Sequence, residues 1–451
     1  MRAIAGMRPS VILALGITIT FLYAHPGLMT QDSMDLLGEA RRGTYTDGHP
    51  PVLTALWRII DALVSGQLGI LVIQIILFQL GLYWILRRTF SPRRAAWGSV
   101  ALFVFPPVFM PMVVIWKDCL MAASLAVGFA AMFAERRGLR IAGLVALMFA
   151  SAVRYNALGA TLPIVILLFQ WTPAARPLRR YATATAAWFA ITFTAFGLNA
   201  ALTDHKMHLW YSSLAVYDIV GTLTYLDDDM PDAELEQLFA GSELRVHTNI
   251  HAAARGLYTP RDFFPIITGK GDAQPPLWVL PIYGTTPAPA PVRDAIGHAW
   301  WELVSGHPLA YVQHRLAVMR EVLCLGETTR PLSAVTRRDL VNSDQGRSLG
   351  LASEWSWLQR HGSRWMYQIW KHTPLYVPWI YLVLTLILLP LTRRHRDVFA
   401  LLLSGLMMEG TLLLLAPSPD YRYSHWMVVC TCLAVVALTA RRARAARAAA
   451  T

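Results

Sequence analysis

The chain has 451 residues, of which 55% are hydrophobic and only 15% are charged. Soluble domains carry about 25% charged residues, so this balance excludes an ordinary soluble enzyme and points to an integral membrane protein. The formal net charge of +12 has no basic soluble face to sit on, which argues against a nucleic-acid partner and makes membrane lipids the counter-charge.

Apolar runs near the ~20 residues that cross a ~30 Å hydrocarbon core recur along the chain. They predict ten spans, at 10–24, 66–86, 95–115, 118–134, 140–153, 157–171, 181–202, 373–391, 397–416 and 424–440. Arg2 and Arg8 precede the first run, which reads as an uncleaved anchor, because the alternation of arginines works only if this helix is counted. A first outer loop, 25–49, follows it. Residues 50–64 are apolar but interrupted by Arg58 and Asp61, the pattern of an interfacial helix. Between the seventh and eighth spans lies a hydrophilic segment, 203–371. Its spacing predicts helices from Asp232 to Ala240, Val292 to Ser305 and Pro308 to Leu325, set between Pro-rich turns. The Ala/Arg tail from Arg441 is expected to fray.

Arginine placement sets the orientation. Arg2, Arg8, Arg87, Arg88, Arg93, Arg94, Arg136, Arg137, Arg140, Arg176, Arg179, Arg180, Arg393, Arg394, Arg396, Arg441, Arg442, Arg444 and Arg447 fall on one face; the short loops of the other hold only Arg41, Arg42, Lys117, Arg154 and Arg422. The expectation is a multi-pass protein of the cytoplasmic (inner) membrane with both termini cytoplasmic and 203–371 outside. Of the four cysteines, Cys430 and Cys432 lie inside the last span, and only Cys119 and Cys324 could meet outside. No disulfide framework and no zinc pattern is read from them.

The first outer loop runs Thr30-Gln31-Asp32-Ser33-Met34-Asp35 and continues to Asp47-Gly48-His49-Pro50-Pro51. An acidic residue just after the first membrane helix, with His-Pro-Pro opening the next apolar helix, resembles the GT-C superfamily of membrane glycosyltransferases. The resemblance is closest to the bacterial branch related to protein O-mannosyltransferases and aminoarabinose transferases. The family pattern has an Asp-Glu pair; here Ser33 stands in the Glu position, so the motif rests on Asp32. The resemblance implies an all-α GT-C bundle. A seven-helix module would cover 1–202, a large and mostly helical outer subdomain 203–371, and three closing helices with a basic tail 372–451. It also implies transfer of a sugar, with inversion, from a polyprenyl-phosphate donor to a glycan, lipid or protein acceptor.

Such a reaction needs a general base, cations to offset the departing phosphate, and a partly dry cleft. Asp32 matches the family base, although it also reads as a helix N-cap with Asp35 three residues on. Asp47 and His49 are expected to line the acceptor side or orient Asp32, with turn-making and capping as the alternative. Lys117, Arg154 and Arg422 sit at outer helix boundaries against the charge bias, with Tyr155 and Tyr423 beside the arginines. They are the expected phosphate donors, since arginine grips phosphate bidentately; snorkelling beside aromatic belts is the alternative. In some relatives an acid in the second outer loop helps hold a divalent cation, and Asp32 with Asp118 would offer oxygen ligands suited to Mg²⁺ or Mn²⁺. Glu409, inside the ninth span, should pair with Arg154 or another buried polar group. His247 with His251, and His205 with His208, have ligand spacing but read as surface histidines.

Two rival functions remain open. A lipid or glycan transporter or flippase fits the helix count, but seven helices before the long loop and three after it make poor symmetric halves. An O-antigen polymerase or ligase uses arginines and a histidine in a large outer loop, and His314-Arg315 fits that pattern.

Overall fold

The computed structural model describes residues 7–172, 176–246, 249–278, 280, 286–331, 343–351 and 354–450. Among the described residues no strand forms, and extended segments meet only at isolated bridges such as Leu28 with Val114 and Thr46 with His205. The N-terminal half holds α1 (Pro9–Ala24), α2 (Gln31–Arg42), α3 (Pro51–Leu63), α4 (Leu68–Arg87), α5 (Pro92–Phe103) and α6 (Pro106–Met112). It continues with α7 (Lys117–Ala131), α8 (Arg137–Val153), α9 (Ala157–Leu168) and α10 (Pro177–Leu202). The outer segment contributes a π-helical turn (Tyr211–Ala215), α11 (Val216–Thr224), α12 (Asp232–Leu238), α13 (Ile250–Leu257), α14 (Phe264–Thr268), α15 (Ala290–Gly306), α16 (Pro308–Val322), α17 (Asp344–Ser348) and α18 (Trp357–His372). The chain closes with α19 (Pro378–Leu391), α20 (Arg396–Leu415) and α21 (Tyr421–Ala450).

Among the described residues four helices, α4, α10, α20 and α21, are long and apolar enough to cross a membrane, and the bent pair α5–α6 makes a fifth if it counts as one span. α1, α9 and α19 are apolar but shorter. The chain is therefore a helical protein with four to five membrane-length elements. Each of the ten predicted segments carries a helix, but α7 and α8, at 15 and 17 residues, fall short of membrane length. The run 95–115, expected as one straight span, bends by 73° between α5 and α6. Phe105 precedes the Pro106-Pro107 pair, which pushes it out of helical geometry and lacks the two N–H groups that would continue the ladder. The C-terminal tail also differs from expectation. α21 continues through it to Ala450, because alanine and arginine are among the best helix formers.

The bundle packs most densely where side chains are small. Gly128 of α7 and Gly143 of α8 face each other, and a Cβ on Gly128 would come within 2.6 Å of Leu147 and 3.1 Å of the Gly143 carbonyl. Backbone contact of this kind is the usual route to helix association in lipid. α4 packs on α7, α9 on α20, and α20 on α21. α3 is two-faced, with Ile59 and Leu63 exposed while Leu53 and Trp57 are buried. Inside the bundle, Glu409 accepts a hydrogen bond from Ser424 Oγ at 2.8 Å, so its partner is serine and not Arg154. All four cysteines are free thiols.

The outer segment has its own core, built around α11 and shared with α13, α15 and α16. At its centre Asp218 accepts from Trp300 Nε1 at 3.0 Å and forms an ion pair with Arg315 Nη2 at 2.5 Å, with His314 Nε2 3.3 Å away. Arg315 also donates to the Ala416 carbonyl at 3.2 Å, which ties this core to the end of α20. The first outer loop is clasped to the start of the outer segment: Tyr45 N donates to Asp204 at 2.8 Å, and Met207 N to Asp47 at 2.5 Å.

Candidate active site

The placement of Asp32 begins with the cap of α2. Thr30, not Asp32, is the N-cap residue, and Ser33 closes a capping box by accepting from Thr30 N at 3.3 Å. Ser33 Oγ also donates to the Ile115 carbonyl at 2.5 Å, which pins α2 to the strand-like segment before α7. The residue that departs from the family pattern therefore has a structural task. Because Thr30 and Ser33 satisfy the helix end, the Asp32 carboxylate in the first turn is free to face a cavity.

That cavity has a volume of about 270 Å³, and its polar lining includes Asp32, His49, Lys117, Arg154 and Arg422. Asp32 accepts from Arg422 Nη1 at 2.7 Å. Arg422, in the first turn of α21, also lies 3.6 Å from Asp420 and rests its guanidinium 5.2 Å from the Trp116 ring and 5.3 Å from that of Tyr423. Trp116 in turn donates to Thr30 Oγ1 at 2.9 Å, so the cap and the arginine share one support. Arg154 follows the last residue of α8, pairs with Asp118 at 2.9 Å, and lies 4.8 Å over the Tyr423 ring. Three cations thus face one carboxylate across the lining. Burial alone would raise the Asp32 carboxyl, but Arg422, with Lys117 and His49 behind it, holds it well below the usual carboxylate range. Apolar walls come from Phe263, Leu415 and Pro417, and Leu415, the last residue of α20, is exposed.

A second cavity of about 680 Å³ adjoins the first and shares Gly48, His49 and Leu209 with it. Its walls are more polar and include Asp35, Glu39, Thr46, Asp204 and Gln345. Burial works against the ionised Asp35, but the neighbouring His49 and hydrogen bonds from Gln345 and Gln31 at 2.7 and 2.9 Å outweigh it and lower that carboxyl. His49 Nε2 lies 4.0 Å from Asp35, while its buried Nδ1 has no hydrogen-bond partner. His49 therefore stands at the partition between the two cavities.

The structure brings together Asp32, His49, Lys117, Arg154, Arg422 and Tyr423 around the smaller cavity. Three other expected site residues fall outside it. Asp47 lines neither cavity, because its carboxylate is occupied by the Met207 backbone. Tyr155 stacks on Phe196 with ring centroids 5.2 Å apart. Asp118, 1% exposed, is buried behind the site against Arg154. The expected Asp32–Asp118 cation site does not fit this arrangement. Each carboxylate already faces an arginine, and among the described residues no three metal-binding side chains cluster. His314 and Arg315 are buried in the outer core and absent from both cavities. His251 accepts from Met230 N, and His247 lies outside the described residues. His205 lines the larger cavity.

Ser212 and Ser213, on the π-helical turn, also line the smaller cavity and were not legible in advance. The nearest signal is the polar-aromatic run His208–Ser213 directly after an apolar span, and π-turns recur at functional sites. Compared with family models, curated proteins and solved structures, the chain matches none.

Proposed function

We propose that the chain is a membrane glycosyltransferase that moves a sugar from a polyprenyl-phosphate donor to a hydroxyl-bearing acceptor, with Asp32 as the general base. One observation carries this reading: an ionised carboxylate and three cations, drawn from the first loop, α7, the end of α8 and the start of α21, converge on one cavity with an apolar wall. A lipid-linked phosphate needs that combination of cationic donors and membrane access.

In this reading the donor phosphate sits against Arg422, Arg154 and Lys117, and the acceptor enters from the larger polar cavity past His49. Asp32 takes the acceptor proton as the acceptor oxygen bonds to the anomeric carbon. The bond from that carbon to the phosphate oxygen breaks, and its electron pair leaves with the phosphate, where the cations offset the charge. Attack from the side opposite the phosphate gives inversion. With no donor bound, Asp32 is a poor base because Arg422 holds it ionised. A donor phosphate competes for the same guanidinium, loosens the pair and restores the basicity of Asp32. The base is thereby armed only when the donor is in place.

The test is Asp32→Asn in a transfer assay with a panel of labelled polyprenyl-phosphate sugars, reading release of polyprenyl phosphate. Asparagine keeps size and removes basicity, and general-base contributions run to about 10²–10⁴ in rate. Because Thr30 is the cap, the substitution leaves the α2 capping box in place. Expression near wild type with activity lost by about a hundredfold or more supports the assignment. An Asp32→Asn protein of full activity sinks it.

A further inference from the structure

At the opposite end of the bundle lies a separate cavity of about 670 Å³ whose lining includes six arginines and two carboxylates. Its place relative to the Asp32 site follows from one helix. Arg422 and Arg441 both belong to α21 and are separated by roughly 28 Å at 1.5 Å per residue, close to the ~30 Å of a hydrocarbon core. The cavity therefore opens at the headgroup layer of the other membrane face.

Its positive charge is not cancelled from within. Asp397 is shared, with Arg441 bonded through both oxygens at 3.0 and 2.5 Å and Arg88 at 3.6 Å. Three of the other guanidiniums are anchored by neutral groups. Arg140 donates to the Ala134 and Glu135 carbonyls at 2.8 Å each, Arg180 to the Leu167 carbonyl at 2.6 Å, and Arg396 to the Tyr181 hydroxyl at 3.2 Å. A carbonyl orients a guanidinium without neutralising it. Arg180 also keeps a buried Nε without a hydrogen-bond partner at this wall. Met132, Phe133, Leu167 and Leu168 give the cavity an apolar floor. Exposed Leu178 and Leu391 precede Arg180 and Arg394 in the chain. Plain topology-setting arginines would point into the headgroup layer; these line a concavity with both a cationic and an apolar surface.

We propose that this cavity binds the phosphate group of an anionic phospholipid, with the acyl chains along the apolar floor. Basic pockets between membrane helices are suited to such headgroups. The site is independent of the reaction proposed above, since it shares no residue with the Asp32 cavity.

The experiment uses the full chain in detergent. Native mass spectrometry with added phosphatidylglycerol or phosphatidylcholine reads lipid retention, and thermal melts with inorganic phosphate against chloride at equal ionic strength read a soluble anion. Variants are R394Q/R396Q, which leaves the Asp397 pairs intact, and R180Q as a second, single change; circular dichroism checks that each is folded. The expected result is preferential retention of phosphatidylglycerol, falling by about fivefold for each arginine removed. If inorganic phosphate raises the melting temperature of wild type but not of the variants, and no phosphatidylglycerol preference is seen, the phosphate site stands and its source is soluble. Equal retention of the two lipids with no phosphate effect overturns the proposal. So does undiminished phosphatidylglycerol retention in both folded variants.

Discussion

Replacing Arg422 with glutamine should change both the stability and the pH response of the protein, in a direction set by the Asp32 environment. The guanidinium donates to Asp32 at 2.7 Å. Two unit charges about 4 Å apart attract by about 4 kcal/mol at an effective dielectric of about 20. The Asp32 side chain is 30% exposed, so solvent screening brings the net contribution down to about 1–3 kcal/mol. Asp32 is held below its ordinary value in the folded protein. The ion pair therefore stabilises fully above the unfolded carboxylate value of about 3.9, and its contribution is lost as pH falls through the lower folded value. Wild type should exceed R422Q by a constant margin from pH 5 to pH 8, with the margin closing below about pH 4. In R422Q burial is opposed only by Lys117 and His49, so the carboxyl moves up and the acid limb of kcat/KM moves to higher pH with it. Thermal melts in detergent across pH 3–8 give the first measure without any substrate, and the rate profile gives the second. A stability margin that stays constant down to pH 3, or an acid limb that does not move, refutes the argument.

Four further outcomes are expected. Arg154→Met should destabilise by about 3–5 kcal/mol by stranding buried Asp118; combining it with Asp118→Leu should recover much of the loss, and a double variant no better than the single would remove that pair from the account. Ser33→Glu, the residue of the family pattern, should lower the melting temperature sharply, because Ser33 is fully buried and bonded to the Ile115 carbonyl; wild-type melting would show that the capping box does not constrain this position. Gly221→Ala should cost about 1–3 kcal/mol of overpacking, since a Cβ there lies 2.1 Å from buried His314; limited proteolysis should report it as faster cleavage within 203–331, and an unchanged digest would contradict the packing. Reporter fusions at residues 180 and 445 should be inactive with a periplasm-dependent enzyme, and activity at either site reverses the orientation read from the arginines.

Much of the site was visible in the chain because its signals are local. Lys117, Arg154 and Arg422 stand out as cations at the ends of apolar runs, and that judgement needs only the lengths of those runs and the charge bias between them. Asp32 was conspicuous for a different reason, its place after the first apolar run with His49-Pro50-Pro51 opening the next, which resembles the GT-C pattern. What the residues touch was not visible. Asp32 and Arg422 are 390 positions apart, and no periodicity links them. The contrast is sharpest between Asp47 and Asp32, two loop carboxylates of equal chemistry. One is consumed by the Met207 backbone and the other faces the cavity.

The sequence by itself determined the class of the molecule and its helical composition, because hydrophobic run length acts through the solvent and does not depend on partners. It also singled out an acid and a few cations as candidate site residues. Only the tertiary structure decided that Thr30 and Ser33 cap α2, so that Asp32 is spared; that Asp118 pairs with Arg154; and that a second arginine-lined cavity forms at the far end of α21. Each of these turns on which of several equivalent polar groups is satisfied first. That competition is settled by packing over distances of hundreds of residues and leaves no mark on local composition.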